Sequence, residues 1–320
     1  MRAATIRDGQ VVVEDHPDPE PGSGEVLVRV RAAGINGADI LQRAGHYPPP
    51  PDAPQDIAGM ELAGEVVRSN PIVPGAPRFA EGDRVMAIVG GGAQAELCVV
   101  HERQLMPVPE GLDWPAAGGT PEVFTTAHDA VFTQAGLEMG ERLLVHGAAG
   151  GVGTATVQLG AAAGAHVTAT VRNPELRDGV AGLGAHEVVD PEGFGEHGPF
   201  DVVLELVGAS NMPENVKALS TGGRIVVIGV GGGGFKAEVN LVALMGKRGR
   251  ITASTLRARP LEEKAATARL MERHVLPLFE RGMLTVPIAE TFPLEAAHDA
   301  YEHFAAGGKL GKVVLEIGGD

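Results

Sequence analysis

The first third of the chain alternates short runs of β-branched and apolar residues with clusters of turn-forming residues. Gly, Pro and Asp bound these runs, which cover residues 10–14, 25–32, 59–67 and 84–89. Residues 47–54 contain five prolines, a composition that excludes a regular helix or strand there. Frequent short strands with irregular connections predict a β-rich domain over residues 1–114.

After about residue 115 the pattern changes to strands that alternate with helices. Apolar strands are predicted over residues 141–146, 166–171, 186–189, 201–207 and 223–229, with an added edge strand over 250–254. The segments between them have helical length, for example 174–183 and 212–220. Such alternation is typical of βαβ units, so residues 115–260 are predicted to form an α/β domain with a parallel sheet.

The tail of the chain from about residue 261 has a third pattern. It predicts a long helix over 261–281, a strand over 285–290, a helix over 293–306 and a closing strand over 312–317. We expect the closing strand to rejoin the β-rich domain, which then comprises residues 1–114 and 261–320.

Charge and composition narrow the class of partner. The chain has 26 Lys and Arg against 41 Asp and Glu, a formal net charge of −15 at pH 7, which disfavours nucleic acid or an anionic membrane. Its single cysteine excludes an intramolecular disulfide and any multi-cysteine metal site. No run approaches the ~20 apolar residues of a membrane span, and no apolar signal region follows Met1, so a cytoplasmic location is expected.

A glycine-rich turn joins the first strand of the α/β domain to its first helix. Glycines in this context let the backbone approach a pyrophosphate, and the helix N-terminus offers it free N–H groups. The turn therefore predicts a dinucleotide site built from Gly147, Ala148, Ala149, Gly150, Gly151, Val152 and Gly153.

The end of the next strand indicates which dinucleotide is bound. In NAD proteins an acidic residue there binds the ribose 2′-hydroxyl, whereas an arginine accommodates the 2′-phosphate of NADP. Here Val171 is followed by Arg172 and Asn173, with no acid before Glu175. This predicts NADPH as the cofactor, and the alternative for Arg172 is a solvated loop residue.

Several motifs in a fixed order resemble the medium-chain dehydrogenase/reductase superfamily, and within it the zinc-free quinone oxidoreductase (zeta-crystallin) family. They are AGINGAD at 33–39, GMELAG at 59–64, GDRV at 82–85, TTA at 125–127, the glycine turn and GKVVL at 311–315. GGGAQA at 90–95, KRG at 247–249 and LRAR at 256–259 are similar to the subgroup of the tumour-suppressor-inducible quinone oxidoreductase. The resemblance implies a GroES-like β-rich catalytic domain plus a doubly wound parallel Rossmann domain.

The resemblance also implies site residues. Asn36, Arg43, Tyr47 and Thr126 would face the nicotinamide or the substrate, and Asn36 and Asp39 can hydrogen-bond cofactor groups. Further cofactor contacts would come from Val207, Gly208, Gly229 and Lys312. For Arg43 the alternative is a solvated helix face, and for Tyr47 it is packing against the proline segment. Glu205 ends its strand where relatives commonly carry Asp.

A catalytic zinc is not expected, because the positions that hold Cys and His ligands in zinc alcohol dehydrogenases carry Asn36 and Met60. Cys98 is expected to be a buried strand residue. Without zinc, an acceptor that takes hydride readily fits best, and a quinone is the predicted substrate. The alternatives are a reductase of activated C=C bonds (enal, enone or enoyl thioester) and a non-enzymatic NADPH-binding protein with a structural or sensing role.

Relatives of this kind are commonly homodimers that pair through the edge of the nucleotide-domain sheet. Residues 223–230 and 250–254 would form that edge here, and unpaired backbone groups along it would invite a second copy.

Overall fold

Two units share the chain in this computed structural model, which describes residues 1–73, 75–232 and 234–318. The β-rich unit comprises Met1–Thr125, Leu256–Gly307 and the chain from Lys312 onwards. The nucleotide unit comprises Thr126–Thr255 and Gly308–Gly311. The last two residues of the predicted segment 261–320, Gly319 and Asp320, lie outside the described residues.

The β-rich unit is built on a mixed sheet and a separate hairpin. Its N-terminal strands are β1 (Arg2–Arg7), β2 (Gln10–Asp15), β3 (Glu25–Ile35), β4 (Glu61–Asn70), β5 (Arg84–Ile88), β6 (Leu97–His101) and β7 (Met106–Pro107), and the C-terminal segment adds two more. Strands β1 and β2 pair antiparallel as the hairpin. The long strand β3 is the centre of the sheet, because β4 and β6 both pair with it antiparallel.

The short helices of this unit are α1 (Gly37–Arg43) and α2 (Trp114–Gly118), and α3 (Pro121–His128) begins in it. Residues 115–125 therefore lie with the β-rich unit, although the sequence pattern assigned them to the α/β domain. The reason is close packing: α2 lies on β3, and a Cβ on Gly118 would be 2.6 Å from the Cβ of Ala32. A π-helix, Asp129–Gln134, continues from α3 into the nucleotide unit.

The nucleotide unit contains a six-stranded parallel sheet. Its strands are β8 (Arg142–Val145), β9 (His166–Thr170), β10 (Glu187–Val189), β11 (Phe200–Glu205), β12 (Leu219–Val227) and β13 (Arg250–Ala253). Their spatial order is β10-β9-β8-β11-β12-β13, the doubly wound order in which the first strand lies beside the fourth. Its helices are α4 (Gly151–Ala162), α5 (Arg177–Gly182), α6 (Met212–Ala218) and α7 (Leu241–Lys247).

The C-terminal segment completes the β-rich unit with α8 (Leu261–His274), α9 (Leu276–Glu280), β14 (Ile288–Pro293), α10 (Ala297–Ala306) and β15 (Lys312–Glu316). The single helix predicted over 261–281 is therefore wrong. Pro277 lacks an N–H and its ring would clash with the carbonyl four residues earlier, so the helix breaks at Val275. The predicted strand over 285–290 begins later, at Ile288, which pairs with Lys312.

Strand β15 fulfils the expectation that the closing strand rejoins the β-rich sheet, since it pairs with β3 antiparallel and with β14 parallel. Tyr301, from α10, is fully buried in the core of this unit. Over residues 1–73, 75–232 and 234–318, no helix combines the length and apolarity that a membrane crossing requires.

Candidate functional site

The glycine turn lies at the carboxyl end of β8, the strand at the centre of the nucleotide sheet. Gly147 has φ +62°, a conformation that suits glycine. Gly150 is the N-cap of α4, and a Cβ on Gly153 would lie 2.5 Å from the carbonyl oxygen of Gly147. Only glycine at residue 153 lets the helix approach the turn this closely.

The first turn of α4 carries no acidic residue. Its free backbone N–H groups and the positive end of the helix dipole are therefore available to an anion. A second segment braces the turn, because Gly311 N donates to the carbonyl oxygen of Ala149 at 2.8 Å. The predicted residues 147–153 are thus brought together at one helix N-terminus.

The end of β9 presents an exposed arginine. Arg172 is exposed and makes no ion pair with any residue of the described part of the chain. Asn173, by contrast, uses its Oδ1 to accept a hydrogen bond from Glu175 N at 3.1 Å, so it caps the short turn that follows. Arg177 is also engaged, with Asp190 at 2.7 Å. Arg172 is therefore the cation at this strand end that can meet a phosphate.

The loop after β11 is held by Glu205, a residue for which the sequence predicted no role. Its fully buried carboxylate accepts hydrogen bonds from Val207 N at 2.7 Å and Gly208 N at 2.8 Å. Gly208 has φ +129°, and a Cβ on Gly229 would be 2.2 Å from the carbonyl oxygen of Leu206. The loop of Val207 and Gly208 after β11 therefore packs tightly against Gly229, which follows β12, at the carboxyl ends of these neighbouring strands.

The β-rich unit contains a buried polar network around Asn36. Lys312 Nζ donates to Asn36 Oδ1 at 2.7 Å, to Glu61 Oε1 at 2.6 Å and to the carbonyl oxygen of Ile35 at 2.9 Å. Asn36 Nδ2 donates to the same Glu61 oxygen at 2.8 Å, and Glu61 Oε2 accepts from Glu122 N at 2.8 Å. The side-chain amide of Asn36 is therefore fixed from both ends and keeps one N–H.

This network changes the interpretation of Lys312. The family resemblance implied a cofactor contact for Lys312, but its three N–H groups are directed at three protein acceptors and the residue is 2% exposed. We therefore assign it to positioning Asn36. Glu61 was part of the motif at 59–64 but was assigned no role, although a glutamate between the buried apolar residues Met60 and Leu62 was a signal of a paired internal charge.

Asp39 lies at the start of α1 and is fully buried. Its Oδ2 accepts from Asn36 N at 2.8 Å, while no described residue gives Oδ1 a hydrogen bond. Burial raises the pKa of the Asp39 carboxyl to about 6, with the Asn36 N–H bond and the charges of Lys312 and Arg257 opposing that rise.

Asp39 should make the free energy of unfolding pH-dependent. Because its folded pKa lies above its unfolded value, its stabilising contribution is complete below about pH 4 and is lost as the pH rises through about 6. Wild-type protein should therefore lose at least about 1 kcal/mol over this range that Asp39→Asn does not lose. Denaturant titrations at both pH values measure the difference, and equal pH dependence in the two proteins would contradict it.

Arg43 and Tyr47 have different surroundings. Arg43 forms an ion pair with Glu302 at 2.6 Å and lies over the ring of Tyr301, so its guanidinium is committed to the surface of α10. Tyr47 is half-buried, and the guanidinium of Arg257 lies 5.3 Å from the centroid of its ring. Thr126, in α3, is buried.

Arg257 anchors the proline segment, a role that its place in the motif at 256–259 did not predict. It is 4% exposed and donates to the carbonyl oxygens of Gly90 at 2.7 Å and Tyr47 at 3.1 Å, and to Gln42 Oε1 at 2.6 Å. Burial lowers the pKa of this guanidinium, and Asp39 counteracts that effect. Arg257 therefore fixes the backbone and the ring of Tyr47 together.

Comparison with known proteins agrees with both folds. The alcohol dehydrogenase GroES-like domain matches residues 22–110, and a zinc-binding dehydrogenase family matches residues 183–315. The quinone oxidoreductase of Rattus norvegicus is 33% identical over 310 residues, covering 93% of this chain and 90% of the rat protein. A structure of the quinone oxidoreductase from Thermus thermophilus, reported also in complex with NADPH, is 34% identical with a TM-score of 0.85, covering 99% of this chain and 100% of that one.

A third relative is much longer. The spectinabilin polyketide synthase system protein NorB of Streptomyces orinoci is 34% identical over 315 residues, which span 94% of this chain and 14% of that protein.

The GroES-like unit and the doubly wound nucleotide unit define an oxidoreductase of the medium-chain dehydrogenase/reductase superfamily. Within that superfamily the chain belongs to the quinone oxidoreductase family, as the resemblance of its motifs predicted.

Proposed function

We propose that the protein is an NADPH-dependent quinone oxidoreductase that works without zinc. The observation that carries this proposal is the combination, in the nucleotide unit, of a glycine cradle at a helix N-terminus with an exposed Arg172, which forms no ion pair with the described residues, at the next strand end. The NADPH complex of the Thermus thermophilus relative supports the cofactor assignment.

The residues present fit a dinucleotide. The pyrophosphate would be held by residues 147–153, where a Cβ on Gly153 would fill the space that the turn needs. Arg172 would form an ion pair with the 2′-phosphate. The loop of Val207 and Gly208 would lie beside the cofactor, at the carboxyl ends of the strands of the same sheet. NADPH supplies a hydride from nicotinamide C4 when it is bound.

The residues do not fit a catalytic zinc, although the family that matches residues 183–315 is named a zinc-binding dehydrogenase family. The side-chain amide of Asn36 is hydrogen-bonded to Lys312 and Glu61, and Met60 offers only a buried thioether. Within the described residues, no three His, Cys, Asp or Glu side chains come together as a metal site. A quinone needs no Lewis acid to accept a hydride, which agrees with this donor set.

On the substrate side, the chain would orient the acceptor rather than activate it strongly. Asn36 has one amide N–H left to donate to a carbonyl oxygen, and its orientation is set by Lys312 and Glu61. Tyr47 has an aromatic face on which a flat ring can stack, and its hydroxyl or solvent would supply the proton. Holding donor and acceptor in contact is then the main catalytic contribution.

A second candidate is the reduction of a C=C bond conjugated to a carbonyl. The likeness to a segment of a polyketide synthase system protein is the observation that favours it. The same hydride donor would serve either acceptor. The third candidate, NADPH binding without catalysis, has the same nucleotide unit and differs only in turnover.

Steady-state oxidation of NADPH separates the three candidates. Quinones should be reduced with a higher kcat/KM than enones or an enoyl thioester. Metal analysis should find no zinc in the purified protein, and a chelator should leave its activity unchanged. A preference for the thioester would favour the second candidate, and no turnover with any acceptor would favour the third. Activity that is proportional to the amount of bound zinc would overturn the zinc-free proposal.

A homodimer is proposed to form through the edge of the nucleotide sheet. The prediction that residues 223–230 contribute to this edge is wrong, because β12 pairs on both sides, with β11 and β13. Strand β13 is the edge strand of the sheet. The segment of the chain that precedes β13 exposes four apolar residues, Phe235, Leu241, Val242 and Met245. An open strand edge with exposed apolar side chains nearby favours pairing with a second copy.

Light scattering tests this assembly. Wild-type protein should be a dimer at micromolar concentration, and Met245→Asp should be monomeric because it places a charge on the proposed interface. Met139→Asp is the matched control, since Met139 is 85% and Met245 is 75% exposed. A monomeric wild type, or equal effects of the two substitutions, would refute the interface.

A further inference from the structure

We propose that Thr170, His146, Asn215 and Glu205 form a hydrogen-bond relay that positions the loops holding the nucleotide. The inference deepens the proposed function and rests on it. All four side chains are at most 2% exposed, and they connect the carboxyl ends of β9, β8 and β11. These are the strands from which Arg172, the glycine turn and the loop of Val207 and Gly208 project.

The relay is continuous in space. Thr170 Oγ1 lies 3.1 Å from His146 Nδ1, and His146 Nε2 lies 2.8 Å from Asn215 Oδ1. Asn215 Nδ2 donates to Glu205 Oε2 at 2.8 Å, and the other Glu205 oxygen accepts from Val207 N and Gly208 N. A side chain at the end of β9 is thus linked to backbone amides after β11.

The direction of every hydrogen bond in the relay follows from Glu205. A carboxylate that already accepts backbone N–H groups can only accept, so Asn215 must turn its NH2 towards it. The amide oxygen of Asn215 then faces His146, whose Nε2 must carry the hydrogen. His146 Nδ1 is left as an acceptor for the Thr170 hydroxyl. Burial lowers the pKa of His146, which agrees with this neutral ring.

The ring of His146 is also held from the side. Phe194 packs edge-on against it, with ring centroids 4.6 Å apart. His146 directly precedes Gly147, and Ala148 N donates to the carbonyl oxygen of Thr170 at 3.2 Å. The tautomer and rotamer of one histidine are therefore coupled to the start of the glycine turn and to the strand end that carries Arg172.

The first test reverses the relay. In Glu205→Gln the amide oxygen is needed by Val207 N and Gly208 N, so its NH2 must face Asn215. Asn215 then has to flip, and His146 has to move its hydrogen from Nε2 to Nδ1. Histidine-selective ¹⁵N NMR, with His146 assigned by loss of its signals in His146→Gln, should show Nε2–H in wild type and Nδ1–H in Glu205→Gln. The same tautomer in both proteins would overturn the relay.

The second test uses two threonines of the same strand. Thr170 donates to His146, whereas the hydroxyl of Thr168, equally buried two residues earlier, has no hydrogen-bond partner in the described chain. Thr170→Val should weaken NADPH binding about fivefold or more, the equivalent of about 1 kcal/mol. Thr168→Val should leave the Kd for NADPH unchanged.

The outcomes separate the relay from the proposed function. If wild-type protein does not bind NADPH, the proposed function fails, whatever the NMR shows. If it binds NADPH and Thr170→Val and Thr168→Val have the same Kd, the positioning role fails and the proposed function stands. A calorimetric titration of each variant supplies these values.

Discussion

Lys312→Met should reduce the free energy of unfolding by about 3–5 kcal/mol, because removing one partner of a buried ion pair leaves the other charge without compensation. Glu61, which would be that charge, is fully buried and accepts from Lys312 at 2.6 Å. The substitution also frees the amide of Asn36, so kcat with a quinone should fall in protein that still binds NADPH. Denaturant titration and single-turnover kinetics measure the two effects.

Two further variants isolate the charge. Lys217→Met removes an exposed ion pair with Glu214 by the same substitution and should cost less than about 1 kcal/mol. Glu61→Gln combined with Lys312→Met removes both charges and should recover part of the stability that Lys312→Met loses. Equal losses in Lys312→Met and Lys217→Met would show that the buried pair is not an essential part of the β-rich unit.

Arg172→Ala should weaken NADPH binding roughly 10- to 100-fold, because a hydrogen bond to a charged group contributes about 1.5–3 kcal/mol. NADH, which lacks the 2′-phosphate, should bind almost unchanged. The loss for NADPH should shrink as salt is added, since the arginine is exposed and the charge pair is screened.

Arg273→Ala is the matched control for Arg172→Ala. Arg273 is also exposed, but it lies on α8 of the β-rich unit, and its removal should affect neither cofactor. Equal losses for NADPH and NADH in Arg172→Ala would mean that Arg172 holds its loop without recognising the phosphate. Comparable kcat/KM with both cofactors in wild type would remove the basis for NADPH selectivity.

The nucleotide unit was predictable because its signals are local. Each apolar strand and its following helix lie within about 30 residues of sequence, and the spacing of Gly147, Gly150 and Gly153 places the turn between them. The order of the six strands then follows from the doubly wound rule. Strand ends were less accurate, since β12 begins at Leu219 and not near residue 223.

The substrate side was less predictable, because its contacts join distant parts of the chain. Arg257 reaches the carbonyl oxygen of Tyr47 across 210 residues, and Lys312 reaches Asn36 across 276. Sequence alone identified Asn36 and Lys312 through resemblance. It could not show that the lysine donates all three of its hydrogen bonds to protein acceptors. Glu61 and Glu205 were left without a role for the same reason: the side-chain contacts of a buried carboxylate depend on tertiary packing.

The placement of Lys312 in the last strand has a consequence for biosynthesis. At about 5–20 residues per second, a ribosome adds Lys312 roughly 14–55 s after Asn36. The six strands of the nucleotide unit emerge in that interval, and they can pair without β15. A nascent chain therefore passes through a stage in which these six strands can pair while Glu61 lacks its cation and the glycine turn lacks its hydrogen bond from Gly311. Gly311 and Lys312 are adjacent in the chain, so the brace on the glycine turn and the network around Asn36 both form only when translation reaches the start of β15.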